Sequence, residues 1–452
     1  MCLKITVQCR TYVGKLIEKV VDSRISDHLS SNALYDPLQS AYRAYHSTET
    51  ALVKVQDDIM NSLDNGHITV LVLLDLSAAF DTVNHDRLLQ RLSSCFGFAD
   101  NALEWIRSYI SDREQVVGIA NTTSSPKRLT YGVPQGSVLG PKFFCMYTKP
   151  LRHIIIRHGG MLYHIYADDT QLYIRIEISA DTEPAASIVK LEDCIEDVRN
   201  WMGSNTLKLN DQKTEVIVFG SRYHINKLCD TDLSVKVGSE RIKPVSSVRN
   251  LGVFQDQHLT MKPHMMKVSK SCYFNIHRIS RIRAYLTEKA TKTLVNALVT
   301  SKLDYGNALL SAANATDLRI LQRVQNMCAR LIKRIPRRAH ITPILKELHW
   351  LPFPYRIHYK LILLVYKALN GAAPSYLSSI LELQTSSRPR RSTHAGHLVI
   401  PKFRTESYGR KRFSVAAPYL WNSLPESLRF SDNIDTFKEN LKTHLCNVYY
   451  ND

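Results

Sequence analysis

Apolar and polar positions alternate along the first half of the chain in a way that predicts both helices and strands. Apolar residues at helical spacing predict amphipathic helices over residues 14–30 and 48–63. A continuous apolar run over residues 68–74 is typical of a buried strand. The same reasoning predicts further helices after residue 84, near 105–110, after 134 and over 188–201, and strands near 115–120, 127–131 and 216–219. Helices alternating with a mainly antiparallel sheet predict the α+β class.

Two adjacent carboxylates, Asp168 and Asp169, lie at the break between apolar runs 161–167 and 172–176, as at the tip of a β-hairpin. Asp75 directly follows the run over residues 68–74. Carboxylates at strand ends suit Mg²⁺, which prefers oxygen ligands. Two such ions about 3.5–4 Å apart can activate a hydroxyl and stabilise a leaving pyrophosphate. The pattern favours a nucleic-acid polymerase palm, although Asp-Asp is also common in ordinary turns.

From about residue 261 onward the pattern becomes helical and basic, with a second basic helix predicted over residues 319–338. The segment over residues 386–392 has the composition of a flexible basic linker. We therefore predict three parts: fingers and palm over residues 1–255, a helical, basic, thumb-like region over 256–385, and a basic linker with a small C-terminal unit over 386–452.

Composition narrows the class of protein. With 44% hydrophobic and 22% charged residues, the 452-residue chain has the composition of a globular protein. It contains no apolar run of about 18 residues that would span a membrane, and its start lacks the features of a secretory signal. Nine cysteines without any Cys-x-x-Cys pair favour reduced thiols inside a cell. We expect an intracellular protein, nuclear or cytoplasmic, with no membrane partner.

Charge is distributed unevenly between the two halves. Residues 1–260 contain 28 basic and 30 acidic side chains, whereas residues 261–452 contain 31 basic and 11 acidic ones. All of the net charge of +18 therefore comes from the C-terminal part. A basic region of this kind favours binding to a phosphate backbone, because solubility alone would not concentrate the charge in one half.

Several motifs in order resemble those of the reverse transcriptases of non-LTR (LINE-type) retrotransposons. They are Gln39-Ser40-Ala41-Tyr42-Arg43, Leu74-Asp75-Leu76-Ser77-Ala78-Ala79-Phe80-Asp81, Gly132-Val133-Pro134-Gln135-Gly136, Tyr166-Ala167-Asp168-Asp169, Leu209-Asn210-Asp211-Gln212-Lys213 and Leu251-Gly252-Val253. The resemblance implies a right-hand polymerase. Proteins of this family normally also carry a nuclease, and the 74 residues before Asp75 leave no room for one. We expect a truncated chain without the endonuclease domain.

The resemblance also implies catalytic roles. Asp75 and Asp168 would bridge two Mg²⁺ ions, for which Mn²⁺ is a possible substitute, and Asp169 would be the third acid. Lys213 would protonate the departing pyrophosphate as a general acid. The alternative for Lys213 is an exposed loop lysine, as most lysines are.

Four residues would serve the nucleotide. An aromatic ring at Phe80 would crowd a 2′-hydroxyl and so favour deoxynucleotides, although Phe80 could equally be a core residue. Gln135 and Gly136 would lie against the template and the nucleotide. Arg43 would bind the triphosphate because its planar guanidinium matches phosphate oxygens, unless it is a surface arginine near Glu49.

The resemblance therefore implies an RNA-directed DNA polymerase that uses dNTPs, an RNA template and a DNA primer. Two alternatives stay open: a catalytically silent nucleic-acid-binding relic of a retrotransposon, and a fragment without a cellular role. Protein partners, the natural template and the oligomeric state are left open.

Overall fold

A computed structural model describes residues 12–77, 79–119, 122–178, 184–228, 230–384 and 396–451. The linker predicted over residues 386–392 lies outside the described residues. The helices of the first half are α1 (Tyr12–Ser31), α2 (Thr48–Asp64), α3 (His85–Phe96), α4 (Asp100–Ile110), α5 (Gly140–Thr148), α6 (Leu151–Arg157), α7 (Pro184–Ser204) and α8 (Arg222–Lys227). The predicted helices of this half are confirmed.

The strands are mostly short. They are β1 (Ile68–Leu74), β2 (Leu76–Ser77), β3 (Arg113–Gln115), β4 (Gly118–Ile119), β5 (Thr122–Thr123), β6 (Lys127–Leu129), β7 (Met161–Tyr166), β8 (Asp169–Ile176), β9 (Lys208–Leu209), β10 (Glu215–Phe219), β11 (Val235–Val237), β12 (Glu240–Ile242), β13 (Ser247–Asn250) and β14 (Val253–Asp256). Four of them form an antiparallel sheet in the order β10-β1-β8-β7. The remaining strands pair two by two: β3 with β6, β2 with β9, β4 with β5, β11 with β12 and β13 with β14.

Both faces of the four-stranded sheet are covered, which explains why β1 is apolar at every position except Thr69. Val70 and Val72 face a core formed with α1 and α3 to α7. Leu71, Tyr173 and Ile217 face the opposite side and pack with α2 and the C-terminal helices. A strand buried on both faces reads as a continuous hydrophobic run rather than an alternating one. The α+β prediction is confirmed.

The second half is helical, as predicted. Its helices are α9 (Lys262–Ile282), α10 (Glu288–Val295), α11 (Ser301–Asp304), α12 (Ala315–Lys333), α13 (Thr342–Glu347), α14 (Phe353–Leu369), α15 (Ser375–Ser378), α16 (Phe413–Asn422), α17 (Glu426–Arg429) and α18 (Ile434–Asn451). Among the described residues, no helix combines the length and the hydrophobicity needed to cross a membrane.

The predicted basic helix over residues 319–338 is five residues shorter at its end. α12 stops at Lys333 because Arg334 takes a left-handed conformation with a φ of 53°. The Arg334 guanidinium then donates to the carbonyl oxygens of Arg283 and Ala284, 3.0 and 3.3 Å away. This arginine therefore closes a helix-to-helix junction instead of extending a basic helical face.

The C-terminal helices pack on α2, which the sequence assigned to the fingers and palm. Asp57, buried in α2, accepts a hydrogen bond from the Ser414 amide at 2.8 Å. Asp64, at the end of the same helix, accepts from the Arg404 and Thr405 amides at 3.0 and 2.7 Å. The two halves thus share one core on this face of the sheet, and the boundaries of the three predicted parts stay a prediction.

Candidate active site

Strand register brings Asp75, Asp169 and Lys213 to one edge of the four-stranded sheet. Leu74 pairs with Thr170 of β8, so Asp75, the next residue, lies opposite Asp169. Leu73 pairs with Glu215 of β10, which places Asp75 opposite Lys213 on its other side. Neighbouring strands are about 4.8 Å apart, so these side chains share one small region. The Lys213 Nζ lies 3.5 Å from Asp75 Oδ2.

The predicted hairpin is confirmed. Tyr166 pairs with Asp169, which leaves Ala167 and Asp168 as the two turn residues. Ala167 has a φ of 59° and its backbone is held by the side chain of Gln39. The tight turn places Asp168 and Asp169 next to each other at the end of the sheet where Asp75 follows β1.

The three carboxylates repel one another. Partial burial, followed by the charge of Asp75, raises the pKa of Asp168. Loss of water around its carboxyl group, followed by repulsion from Asp168 and Asp75, raises the pKa of Asp169 to about 6, although much of the residue's surface is exposed. Like charges held this close favour a cation between them.

The donor set fits a hard divalent cation, but its geometry is not that of an assembled metal site. Within the described part of the chain, Asp75 Oδ2 is buried without a hydrogen-bond partner, and its ionic neighbour is Lys213. Such an oxygen is free to act as a ligand. Across the described ranges, however, no three or more His, Cys, Asp or Glu side chains converge closely enough to hold a metal ion. The metal-binding role of Asp75, Asp168 and Asp169 stays a prediction.

A second segment, residues 132–136, runs alongside the chain that follows Asp75. The Gly132 and Val133 amides donate to the carbonyl oxygens of Val83 and Phe80 at 2.7 and 2.8 Å. The Gln135 amide donates to Asp81 Oδ1 at 2.8 Å. These contacts place Gln135 beside the residues that follow β1, on the same side of the molecule as the carboxylates.

The other predicted nucleotide-site residues lie around this segment. Gly136 has a φ of 73° in the turn that precedes α5, so the helix begins four residues later than Gly136. The half-buried ring of Phe80 packs against that of Phe144, with 4.9 Å between ring centroids. Phe80 is therefore partly a core residue, and its contact with a sugar stays a prediction.

Arg43 is held largely by its own loop. Its Nη1 donates to the carbonyl oxygens of Asp36 and Gln39 at 2.7 and 3.0 Å, and its guanidinium lies 4.3 Å from the centre of the Tyr35 ring. It neither caps nor approaches Glu49, which pairs with Lys360 instead. Binding of a triphosphate by Arg43 stays a prediction.

Gln39 is the site residue whose role the sequence did not reveal. The sequence placed it in a motif but assigned it no contact. Its partner Ala167 is 128 positions away, and hydrophobic periodicity carries no information about side-chain contacts at that separation.

The basic C-terminal region contains both exposed and internal cations. Exposed basic side chains follow the outer face of α9, at Lys262, Lys267, Lys270, Arg278 and Arg281. The exposed rings of Tyr273 and Phe274 lie among them. Arg283, by contrast, is buried and donates to the carbonyl oxygens of Leu331 and Ile332 at 2.8 and 2.7 Å. Part of the positive charge therefore stabilises helix ends instead of facing solvent.

Comparisons with known proteins identify relatives. Residues 4–254 match the family model described as "Reverse transcriptase (RNA-dependent DNA polymerase)". The chain is 26% identical to "Probable RNA-directed DNA polymerase from transposon BS" of Drosophila melanogaster, over 75% of this chain and 37% of that protein. It is 23% identical to "RNA-directed DNA polymerase from mobile element jockey" of Drosophila melanogaster, over 72% of this chain and 35% of that protein. The chain thus spans about a third of the length of these relatives. Among solved structures, a telomerase from Candida albicans aligns with a TM-score of 0.38 and 13% identity, over 72% of this chain and 55% of that one.

Proposed function

This chain belongs to the reverse transcriptase (RNA-dependent DNA polymerase) family, and we propose that it joins deoxynucleotides to a primer 3′-hydroxyl on an RNA template. Membership, with relatives from the jockey and BS elements, confirms the predicted LINE-type reverse transcriptase and its right-hand polymerase class. The observation that carries the proposal is the placement of Asp75, Asp168, Asp169 and Lys213 at one end of the sheet.

The carboxylates are the proposed ligands of two Mg²⁺ ions. Asp75 and Asp168 would hold both ions, and Asp169 would complete the set. The bound ions would activate the 3′-hydroxyl and neutralise charge on the leaving pyrophosphate. The mutual repulsion that raises the pKa of Asp168 and Asp169 supports this assignment, because a cation between the carboxylates would relieve it.

Lys213 is the proposed proton donor to pyrophosphate. Its side chain is 69% exposed, so its Nζ can meet a leaving group that arrives from solvent. The same ammonium lies 3.5 Å from Asp75, whose negative charge favours the protonated form of the lysine. An exposed surface lysine would not need an acidic partner at the end of the central strand.

Phe80, Gln135, Gly136 and Arg43 are the proposed nucleotide-binding residues. Gln135 and Phe80 lie on adjoining segments that are hydrogen-bonded to each other through Val133. The exposed basic face of α9 is the proposed contact for the RNA–DNA duplex, because lysines and arginines on one helix face can bind phosphates without reading sequence.

A second candidate is a nucleic-acid-binding protein that no longer polymerises. It is favoured by the carboxylate geometry, since the described residues contain no assembled metal-binding group, whereas the basic face of α9 is complete. This candidate predicts RNA binding that depends on α9 and does not depend on Asp168 or Asp169.

The test is incorporation of dTTP on oligo(dT)-primed poly(rA), first with Mg²⁺ and then with Mn²⁺. We expect incorporation by the native chain and none by the double variant Asp168→Asn, Asp169→Asn, with equal RNA affinity in both. The control is Asp193→Asn, Glu196→Gln on the exposed face of α7, which removes the same charge away from the site. A folded, RNA-binding native chain that incorporates nothing with either ion would refute the polymerase and support the second candidate.

A further inference from the structure

The hairpin turn that carries Asp168 has an unfavourable residue at its first position. Ala167 adopts a φ of 59° in a two-residue turn closed by the Tyr166–Asp169 pair. Glycine is favoured where a hairpin turn needs positive φ, because a Cβ is crowded in that conformation. The turn therefore depends on contacts from outside the hairpin to keep its shape.

Gln39 supplies those contacts through both ends of its side-chain amide. Its Oε1 accepts hydrogen bonds from the Ala167 and Ala41 amides, each at 3.0 Å. Its Nε2 donates to the Ala167 carbonyl oxygen at 3.2 Å. The side chain is buried, so water does not compete for these bonds. One glutamine thus holds both backbone polar groups of the residue that precedes Asp168.

The backbone around Gln39 is itself anchored to β7. The Ser40 amide donates to the Ile165 carbonyl oxygen at 2.9 Å, and the Ile165 amide donates to the Leu38 carbonyl oxygen at 2.9 Å. Residues 38–40 therefore run parallel to the end of β7, and the Gln39 amide continues that pairing past Ile165 into the turn.

A buried hydrogen-bond network fixes the same segment from behind. The Ser40 hydroxyl lies 2.8 Å from His164 Nε2 and 2.9 Å from the Tyr376 hydroxyl, which also donates to Thr50 Oγ1 at 3.0 Å. Tyr376 lies in α15, far outside the residues that match the family. Gln39 is thus held between the catalytic turn and a C-terminal helix.

We propose that Gln39 is a positioning residue that sets the direction of the Asp168 carboxylate relative to Asp75. This inference rests on the proposed metal-dependent function. Glutamine suits the position because its amide presents one acceptor and one donor to the Ala167 backbone. Glutamate would retain the acceptor but place a second oxygen against the Ala167 carbonyl. Leucine would fill the space and make no hydrogen bond.

The test compares Gln39→Leu and Gln39→Glu in the full chain with a matched control, Gln325→Leu. Gln325 is equally buried and donates one hydrogen bond, to the Leu351 carbonyl oxygen at 2.7 Å, away from the site. Removing a group that orients a metal ligand typically costs about 10–100-fold in metal affinity or activity. We expect about a tenfold or greater rise in the Mg²⁺ concentration for half-maximal incorporation in both Gln39 variants. Template–primer affinity should stay unchanged, and Gln325→Leu should keep the native Mg²⁺ dependence.

A second measurement does not require activity. Hydrogen–deuterium exchange of peptides covering residues 161–176 should be faster in Gln39→Leu than in the native chain, with no change in Gln325→Leu. Unchanged Mg²⁺ dependence in a folded Gln39 variant, or unchanged exchange in the turn, would overturn the proposal. If the native chain incorporates nothing, the polymerase fails on its own result, and exchange still decides whether Gln39 holds the turn. If Gln39→Leu does not fold, Gln39→Glu provides both measurements, because it keeps the volume and the accepted hydrogen bonds.

Discussion

Replacing Gly132 by alanine tests whether the two backbone segments beside the carboxylates must approach as closely as they do. Gly132 has a φ of 88°, and a Cβ added there would lie 2.9 Å from the Asp81 carbonyl oxygen and 3.1 Å from Asp81 Cα. Both contacts are with backbone, which cannot rotate away. Relief requires the two segments to separate, which strains the hydrogen bonds from Gly132 to Val83 and from Val133 to Phe80.

The expected cost has two parts. A left-handed conformation costs a residue with a Cβ roughly 1–2 kcal/mol. Overpacking against fixed neighbours costs typically about 1–3 kcal/mol more. We therefore expect Gly132→Ala to lower the free energy of unfolding by about 2–5 kcal/mol.

Gly136→Ala is the internal control. Gly136 has a φ of 73°, but among the described residues no atom lies within 4 Å of a Cβ added there. Only the conformational part remains, so the expected loss is about 1–2 kcal/mol. The comparison separates crowding from backbone strain in two glycines of the same loop.

The assay is urea denaturation of both variants, combined with the KM for dNTP. Because separation of the segments moves Phe80 and Gln135, Gly132→Ala should raise the KM for dNTP, whereas Gly136→Ala should leave Phe80 in place and raise it less. Equal losses of stability in the two variants, within about 0.5 kcal/mol, would show that the close approach to Asp81 does not constrain the loop.

Four further predictions concern the site and the basic face. Phe80→Val should reduce the preference for dNTP over rNTP, measured as the ratio of the two kcat/KM values, because the ring no longer crowds a 2′-hydroxyl. Lys213→Met should lower kcat by about 100-fold or more without changing RNA affinity, as expected on loss of a general acid. The raised pKa of Asp169, about 6, means that its ionisation opposes folding. This penalty is absent below its unfolded pKa and complete above pH 6, so in EDTA the Asp169→Asn variant should exceed the native Tm at pH 8 and lose that advantage towards pH 4. Lys270→Ala with Arg278→Ala should weaken RNA binding and reduce the slope of log affinity against log salt by up to about 1.8, since each lost phosphate contact contributes about 0.9.

Controls for these variants come from the same surfaces. Lys208→Met removes another exposed lysine near Lys213 and should keep the native kcat; an equal loss in both would contradict the general-acid role. Lys190→Ala, on α7, should leave the salt slope unchanged. An unchanged dNTP-to-rNTP ratio would exclude Phe80 as a steric gate. A Tm difference for Asp169→Asn that is the same at pH 4 and pH 8 would exclude the repulsion among the carboxylates.

Much of the local structure could be predicted because its causes are local. Apolar spacing located α1 and α2, and Asn65-Gly66 ended α2 where a left-handed glycine with a φ of 83° is found. The polar break in an apolar segment located the β7–β8 turn. The end of α12 was misplaced because the left-handed conformation of Arg334 is stabilised by carbonyl groups of residues 283 and 284, far away in sequence.

The sequence by itself determined the elements, the acids at their ends and the family, because periodicity, turn residues and motifs are written in consecutive positions. Only the tertiary structure decided which strands flank β1, and therefore that Asp75 lies between Asp169 and Lys213. It also decided that Gln39 holds Ala167, and that Arg283 is buried at helix ends instead of facing solvent. Such partners are chosen by the surfaces that bury one another when the chain collapses, and a change of strand register by one residue would reverse which side chains face each core.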